Sequence, residues 1–153
     1  MANYAEQMQE IVRHYQDAGQ RWPATAKDIA GWAIENRYWH PQPSSVIAQC
    51  ADHIARAMRE EYITDPQGRR VRAKHVANIS VDGEQIPLWA DIRTAPREHM
   101  AAAFQQRRHQ IVGDCRQLKS DMDSYNDNTN AGATIQMIFD FTLDLEELER
   151  AAA

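Results

Sequence analysis

Apolar residues recur at helical spacing near the start of the chain and predict two helices. The first covers residues 4–18, where apolar side chains three or four positions apart share one side of a helix. Gly19 follows it as a C-cap, since glycine adopts the left-handed conformation that ends many helices. The second helix covers residues 26–36 and begins after Thr25, whose hydroxyl can accept a hydrogen bond from the first turn.

A third amphipathic helix is predicted after the proline-containing loop 37–43. Proline cannot continue a helix, and Ser44 or Ser45 then provides an N-cap. We expect this helix to run to about Tyr62. Its apolar positions form one stripe that we expect to face a core: Ile47, Cys50, Ala51, Ile54, Ala57 and Met58.

The pattern then changes from helical spacing to alternation, which predicts a β-hairpin. Residues 65–68 have the composition of a turn, and strand-like stretches follow at residues 70–81 and 85–92. A second turn at residues 82–83, Asp followed by Gly, separates the two stretches. We therefore expect one hairpin with long arms.

The first arm of this hairpin begins with a basic run. Arg69 lies at the turn, and Arg70, Arg72 and Lys74 would share one face of a continuous strand. This cationic face has two interpretations, an anion-binding surface or an edge strand whose charges prevent aggregation. The pattern leaves both open.

A long helix is predicted from about Pro96 to Tyr125. Apolar residues recur along it every seven positions. They are Phe104, Ile111, Leu118 and Tyr125. At 1.5 Å per residue such a helix extends roughly 45 Å, longer than a small core can cover. The repeat therefore favours self-association as a homodimer over an intramolecular cover.

The chain after the long helix alternates between polar and apolar segments. A polar loop is predicted at residues 126–132, followed by the apolar stretch 134–141 as a strand or docking peptide. Residues 143–153 are acidic with spaced leucines and predict a short helix.

Charge is distributed unevenly, although the 153-residue chain has a formal net charge of −5. Residues 69–119 contain 10 basic and 5 acidic residues, whereas residues 120–153 contain 1 basic and 8 acidic residues. A basic central segment is compatible with nucleic-acid binding in spite of the acidic total. No stretch has the roughly 20 apolar residues that a membrane span needs, so we expect a cytoplasmic protein. Cys50 and Cys115 lack metal-ligand spacing and are expected to be reduced and mostly buried.

The order of three helices and a hairpin resembles the winged helix-turn-helix family of DNA-binding domains over residues 4–92. The resemblance rests on the second-helix start at residues 26–30, the third helix at 46–58, and residues 59–63 leading into the turn. It implies an α+β fold, mainly α, with a three-helix winged-helix core and a β-hairpin wing, then the long helix and the short strand or docking segment. The expected domains are a winged-helix domain (1–93), a dimerisation helix (94–126), and a flexible loop, apolar segment and acidic tail (127–153).

The resemblance also implies the DNA contacts. In this family the third helix enters the major groove and the wing contacts phosphates or the minor groove. Matched onto this chain, the helix residues are Ser45, Gln49, His53 and Arg56, and the wing residues are Arg69, Arg70, Arg72 and Lys74. A solvated polar helix face without base recognition is the alternative.

The apolar stretch near the end resembles the peptide by which bacterial replication and repair proteins dock on the sliding clamp. That peptide has a glutamine followed by alternating large apolar residues. Here the matching residues are Gln136, Met137, Phe139 and Phe141. The resemblance implies the sliding clamp as a partner, and an ordinary strand is the alternative.

Catalytic and metal-binding motifs are missing from the sequence. It has no GxSxG motif, no phosphate-binding glycine loop and no histidine pair at metal-ligand spacing. We expect no enzyme activity, cofactor or metal. The leading hypothesis is a DNA-binding protein, either a transcriptional regulator or an accessory factor of replication or a mobile element, with double-stranded DNA as its partner. The alternative is a protein interaction adaptor with the same fold and no nucleic-acid binding.

Overall fold

The computed structural model describes residues 2–42 and 45–152, which form an α+β protein with five helices and four strands. The elements in chain order are α1 (Tyr4–Asp17), α2 (Ala26–Glu35), α3 (Val46–Arg59), β1 (Tyr62–Thr64), β2 (Arg70–Arg72), β3 (Lys74–Val81), β4 (Glu84–Asp91), α4 (Arg97–Asn128) and α5 (Thr142–Ala152). They group into two compact units, Met1–Ala55 and Arg56–Ala153. The α+β class confirms the sequence-based expectation.

The first unit contains α1, α2 and a small aromatic core. Thr25 caps α2 as predicted, since its hydroxyl accepts a hydrogen bond from the Asp28 amide at 3.0 Å. Tyr15 is buried, lies edge-on to the Trp32 ring at 5.5 Å, and donates from its hydroxyl to the Arg21 carbonyl at 2.8 Å. The two helices are thus joined by aromatic packing, and the buried phenol hydroxyl has a hydrogen-bond partner.

Helix α3 differs from its prediction in length and in burial. It ends at Arg59, because residues 62–64 are aromatic or β-branched and pair with 70–72 as the antiparallel strands β1 and β2. None of its described residues is buried, and Ile47 is 84% exposed, so the expected buried stripe is wrong. Cys50 is exposed too. An amphipathic pattern identifies the apolar side of a helix, whereas burial also requires an element packed against that side.

The start of α3 is described from Ser45 onward, and Ser44 lies outside the described residues. The Ser45 hydroxyl donates to the Gln42 carbonyl at 2.7 Å. The Ser45 amide donates to the same carbonyl at 3.0 Å. This hydroxyl therefore has a partner in the preceding loop.

The second unit contains two short hairpins where one long hairpin was predicted. Strands β3 and β4 pair antiparallel around the predicted turn at residues 82–83, and β1 pairs with β2 around the turn at 65–68. The basic run is broken at Ala73, which is fully buried. Its amide donates to the Glu61 carbonyl at 2.9 Å, and its carbonyl accepts from the Ile92 amide at 2.8 Å. Arg70 and Arg72 thus belong to one sheet and Lys74 to the other, so the single cationic strand face is wrong.

Helix α4 confirms the predicted long helix and packs on β3. Buried Ala103 on the helix faces the strand that carries buried His75 and Ala77. Gln106 fixes the contact, because its side chain accepts from the Asn78 amide at 2.7 Å and donates to the Asn78 carbonyl at 3.0 Å. A glutamine on α4 thereby pairs with strand backbone as another strand would.

The segment before α5 forms neither helix nor strand in the described part of the chain, so the strand alternative for residues 134–141 is wrong. The Asn126 side chain accepts from the Ile135 amide at 3.0 Å and donates to the Ile135 carbonyl at 2.8 Å. Asn130 donates to the Asn126 side chain at 3.0 Å. Side-chain amides therefore fix the start of this segment without a β-ladder.

Candidate nucleic-acid interface and anion cleft

The predicted recognition face of α3 is solvent-exposed. Gln49 and His53 lie in the part of α3 that belongs to the first unit, and Arg56 lies where the second unit begins. Within residues 2–42 and 45–152, these three side chains make no hydrogen bond or ion pair. Their polar groups are therefore available to a partner, whereas the Ser45 hydroxyl is used by the preceding loop.

Two of the four predicted wing cations are bound to carboxylates of the same chain. Arg69 Nε lies 2.8 Å from Asp65 Oδ2. Lys74 Nζ lies 3.1 Å from Glu61 Oε2 and 3.2 Å from Asp91 Oδ2. The hydrogen bonds that Lys74 donates to Glu61 and Asp91 raise the pKa of Lys74. The charges of Arg69 and Lys74 are thus offset locally, which the basic run alone did not predict.

Arg70 and Arg72, in contrast, have no carboxylate partner among the described residues. The guanidinium of Arg70 lies over the Tyr62 ring, with its central carbon 4.7 Å from the ring centroid. Arg59, which the sequence analysis did not select, lies over the Trp89 ring at 5.5 Å. Stacking on an aromatic ring orients an arginine and leaves its N–H groups free to donate.

A cleft of about 410 Å³ lies in the second unit between α4 and the hairpin of β3 and β4. Its lining residues combine cations, amides, one carboxylate and apolar side chains. They are Arg59, Arg72, Lys74, His75, Val76, Asn78, Pro87, Trp89, Ala103, Gln106, Arg107, Gln110, Ile111 and Asp114. Of the predicted phosphate contacts, Arg72 and Lys74 meet here, whereas Arg69 and Arg70 lie outside the cleft.

Arg72 and Arg107 contribute positive charge to the cleft, because neither has a carboxylate partner in the described structure. Burial, followed by the charge of Arg72, lowers the pKa of Arg107. Burial also lowers the pKa of His75, and the charges of Arg107, Arg72 and His99 add to that effect. Arg72 and Arg107 have no ion pair among the described residues and their charges act on His75, which is a setting that favours an anion.

The sequence analysis identified Arg72 but missed most of this cleft. The sequence analysis selected neither Arg107 nor Trp89 as a site residue. Gln106 showed no distinguishing pattern. These residues are 17 to 35 positions from Arg72 in the chain, so they come together only through the packing of α4 on β3 and the pairing of β3 with β4. The cluster of Arg107 and Arg108 on a helix after a basic strand is the one signal available beforehand.

The predicted clamp-docking residues lie beside α4. Gln136 and Met137 are exposed, whereas Phe139 and Phe141 contact each other edge-on with ring centroids 6.4 Å apart. Phe139, Phe141 and Leu145 line an apolar groove of about 620 Å³ with residues of α4. Those α4 residues are Phe104, Arg107, Arg108, Ile111, Val112 and Cys115. Clamp docking stays a prediction, and it would require both phenylalanines to leave this groove.

The described residues contain no group of three or more His, Cys, Asp or Glu side chains placed to hold a metal ion. None of the described helices combines the length and hydropathy needed to span a bilayer. No protein-family model, curated protein or solved structure matches this chain.

Proposed function

We propose that this protein is a non-enzymatic, double-stranded DNA-binding protein. The observation that carries the proposal is the exposed polar face of α3, on which Gln49, His53 and Arg56 have no partner within the described chain. Arg70, exposed and stacked on Tyr62, adds a second cation without a carboxylate. Exposed arginines of this kind neutralise phosphates and release counterions, which is the main source of sequence-independent affinity for DNA.

The chemistry of the α3 face also suits contacts with base edges. A glutamine amide pairs with adenine in the major groove, and an arginine guanidinium pairs with guanine. Gln49, His53 and Arg56 are spaced four and three residues apart, so they follow one side of the helix. In this proposal Arg56 and Arg70 bind backbone phosphates, and Gln49 contacts bases.

Charge reversal tests the proposal. The Arg56→Glu, Arg70→Glu double variant is expected to bind a random-sequence duplex at least about tenfold more weakly in a gel-shift titration, because two phosphate contacts become repulsive. Arg13→Glu is the matched control, since Arg13 is exposed on α1 and far in sequence from the proposed interface. Equal affinity of the wild-type protein and the double variant would exclude this interface.

A protein interaction adaptor is the second candidate, and the offset charges favour it. Glu61 and Asp91 neutralise Lys74, and Asp65 neutralises Arg69, so carboxylates interrupt the basic surface. Such a surface attracts a polyanion less than the sequence suggests. A wild-type protein that binds no duplex even at low salt would favour the adaptor over DNA binding.

We also propose that α4 joins two copies of the chain. Phe104, Ile111, Leu118 and Tyr125 recur every seven residues, and each is 46–51% exposed in the single chain. A seven-residue apolar repeat is the pattern with which two helices pack together. A second copy of the chain would present the same four residues, and the two sets together would form the seam of a dimer. In a dimer, two α3 helices would then be available to a pseudo-palindromic site.

A further inference from the structure

The cleft between α4 and the β3–β4 hairpin is concave, unlike the exposed α3 face. Arg72 enters it from β2 and Arg107 from α4, and both line its wall. Lys74 also lines it but is held by Glu61 and Asp91, so it contributes little net charge. We propose that this cleft is a binding site for the phosphate group of a small phosphate ester, with Arg72 and Arg107 as its ligands. The inference does not rest on DNA binding.

Charge balance selects an anion for this site. Of the described residues that line the cleft, Asp114 alone is acidic, whereas Arg59, Arg72 and Arg107 are cations without an ion pair in the described structure. Two guanidinium groups that line the same cleft repel each other, and a dianion between them replaces repulsion with charge-assisted hydrogen bonds. A phosphate monoester supplies two charges and several acceptor oxygens on one centre, which suits the fork of an arginine.

The size and the remaining lining favour a small organic molecule. A volume of about 410 Å³ falls within the range of roughly 300–1,000 Å³ that is usual for small-molecule sites. The Gln110 amide can bond to hydroxyl groups of a ligand, and Val76 and Ile111 provide apolar contact. Arg59 covers one face of Trp89 at 5.5 Å, so that face is not available for stacking by a ligand. The cleft therefore fits a compact ester better than an extended polymer.

Isothermal titration calorimetry on the full chain tests the site with inorganic phosphate and glycerol 3-phosphate as probes, and with glycerol as the uncharged control. Both phosphates are expected to bind, and glycerol is not. Arg72→Gln and Arg107→Gln should each weaken phosphate binding about tenfold or more, since each removes a charged hydrogen-bond donor. Arg108→Gln is the matched control, because Arg108 is the neighbour of Arg107 but does not line the cleft.

Three results would overturn the proposal. The first is that neither phosphate gives a heat of binding at about 10 mM. The second is that inorganic phosphate binds but glycerol 3-phosphate does not. The third is that the Arg107 and Arg108 variants weaken phosphate binding equally. The Arg56→Glu, Arg70→Glu variant should retain phosphate binding, because neither residue lines the cleft. Failure of DNA binding is thus distinguishable from failure of this site.

A second readout uses the wild-type protein and does not depend on the folding of a variant. The charged and titratable groups that act on His75 are Arg72, Arg107 and His99, and its imidazole Nε2 donates to the Arg72 carbonyl at 2.9 Å. A bound phosphate offsets the positive charges beside His75, so saturating phosphate should raise the pKa of His75 in an NMR titration. An unchanged His75 titration at saturation, with matched ionic strength, would contradict phosphate in this cleft.

Discussion

Asp91 forms two ion pairs in the second unit, one with Lys74 and one with Arg93. Its carboxylate accepts from the Arg93 amide at 2.9 Å, from Arg93 Nε at 2.9 Å, and from Lys74 Nζ at 3.2 Å. The Arg93 side chain, then the Arg93 amide, and then Lys74 hold the pKa of Asp91 well below its usual range. A carboxylate at the end of β4 therefore orders the turn into α4 and binds Lys74 of β3.

Replacing this carboxylate should change stability in a pH-dependent way. Because the folded-state pKa of Asp91 is lowered, its contribution is fully present above the unfolded-state value of about 3.9 and is lost as pH falls below it. Asp91→Asn is expected to lower the Tm at pH 7, with the difference from wild type narrowing between about pH 4 and pH 2. Thermal unfolding followed by circular dichroism measures this. Asp52→Asn, an exposed change on α3, should leave the profile unchanged.

His75 should produce a second pH dependence near neutrality. Its side chain is buried, and burial lowers the pKa of His75 from its usual 6.5. The unfolded chain therefore binds a proton more readily than the folded one, and stability should fall as pH drops below about 6.5. His75→Gln keeps a donor near the Arg72 carbonyl without titrating, so its unfolding midpoint in urea should change less between pH 7 and pH 5. The exposed His109→Gln should behave as wild type, and a flat wild-type profile would contradict burial of His75 as the cause.

Local signals were sufficient to place α1 and α2, whereas nonlocal packing decided the strands and the end of α3. The predicted start of α2 follows from Thr25, whose side chain caps the first turn, and Asn3 caps α1 in the same way. The break at Ala73 was not predictable in this way, because it depends on hydrogen bonds to Glu61 and Ile92, which are 12 and 19 positions away. Burial along α3 was mispredicted for the same reason, since a helical pattern does not specify a neighbour.

The link between α4 and the tail offers a prediction about a single side chain. Asn126 exchanges two hydrogen bonds with the Ile135 backbone, so Asn126→Ala should free the start of the tail. The free energy needed to open this contact is expected to fall by about 1 kcal/mol. Hydrogen exchange of the Ile135 amide should accelerate by roughly five- to tenfold, because opening becomes easier by that amount.

Asn128→Ala provides the matched control for that measurement. Asn128 is two residues away on α4, and its amide donates within the helix to the Ser124 carbonyl at 2.9 Å. Exchange at Ile135 should therefore be unchanged in this variant. Equal acceleration in both variants would mean that fraying of the end of α4, and not the Asn126 contact, controls the tail.

At the scale of the whole molecule, the candidate site was only partly visible in the sequence. The basic run gave equal weight to four cations, of which Arg70 and Arg72 have no carboxylate partner among the described residues. The charges of Arg69 and Lys74 are offset. The acidic partners Glu61 and Asp91 lie 13 and 17 residues from Lys74. The positions of charges along the chain do not show which residues form ion pairs at that separation. The fold was therefore needed to show which cations remain without a carboxylate partner.

Self-association through α4 gives a prediction about oligomeric state. The chain is expected to sediment with the mass of two copies, and Ile111→Glu with Leu118→Glu should convert it to one copy, because two like charges would face each other across the seam. Analytical ultracentrifugation measures the mass. Gln105→Glu, an exposed change of the same charge on α4, should remain dimeric. A wild-type protein that sediments as one chain at high micromolar concentration would contradict the seam.

The central claim is that the exposed arginines bind DNA phosphates, and the salt dependence of duplex affinity tests it most directly. We predict that the logarithm of the wild-type binding constant for a random duplex falls linearly with the logarithm of salt concentration. Arg56→Ala and Arg70→Ala should each make that slope shallower by about 1, while Arg13→Ala should leave it unchanged. Slopes that are identical in all four proteins, or no duplex binding by the wild-type protein at low salt, would contradict the account.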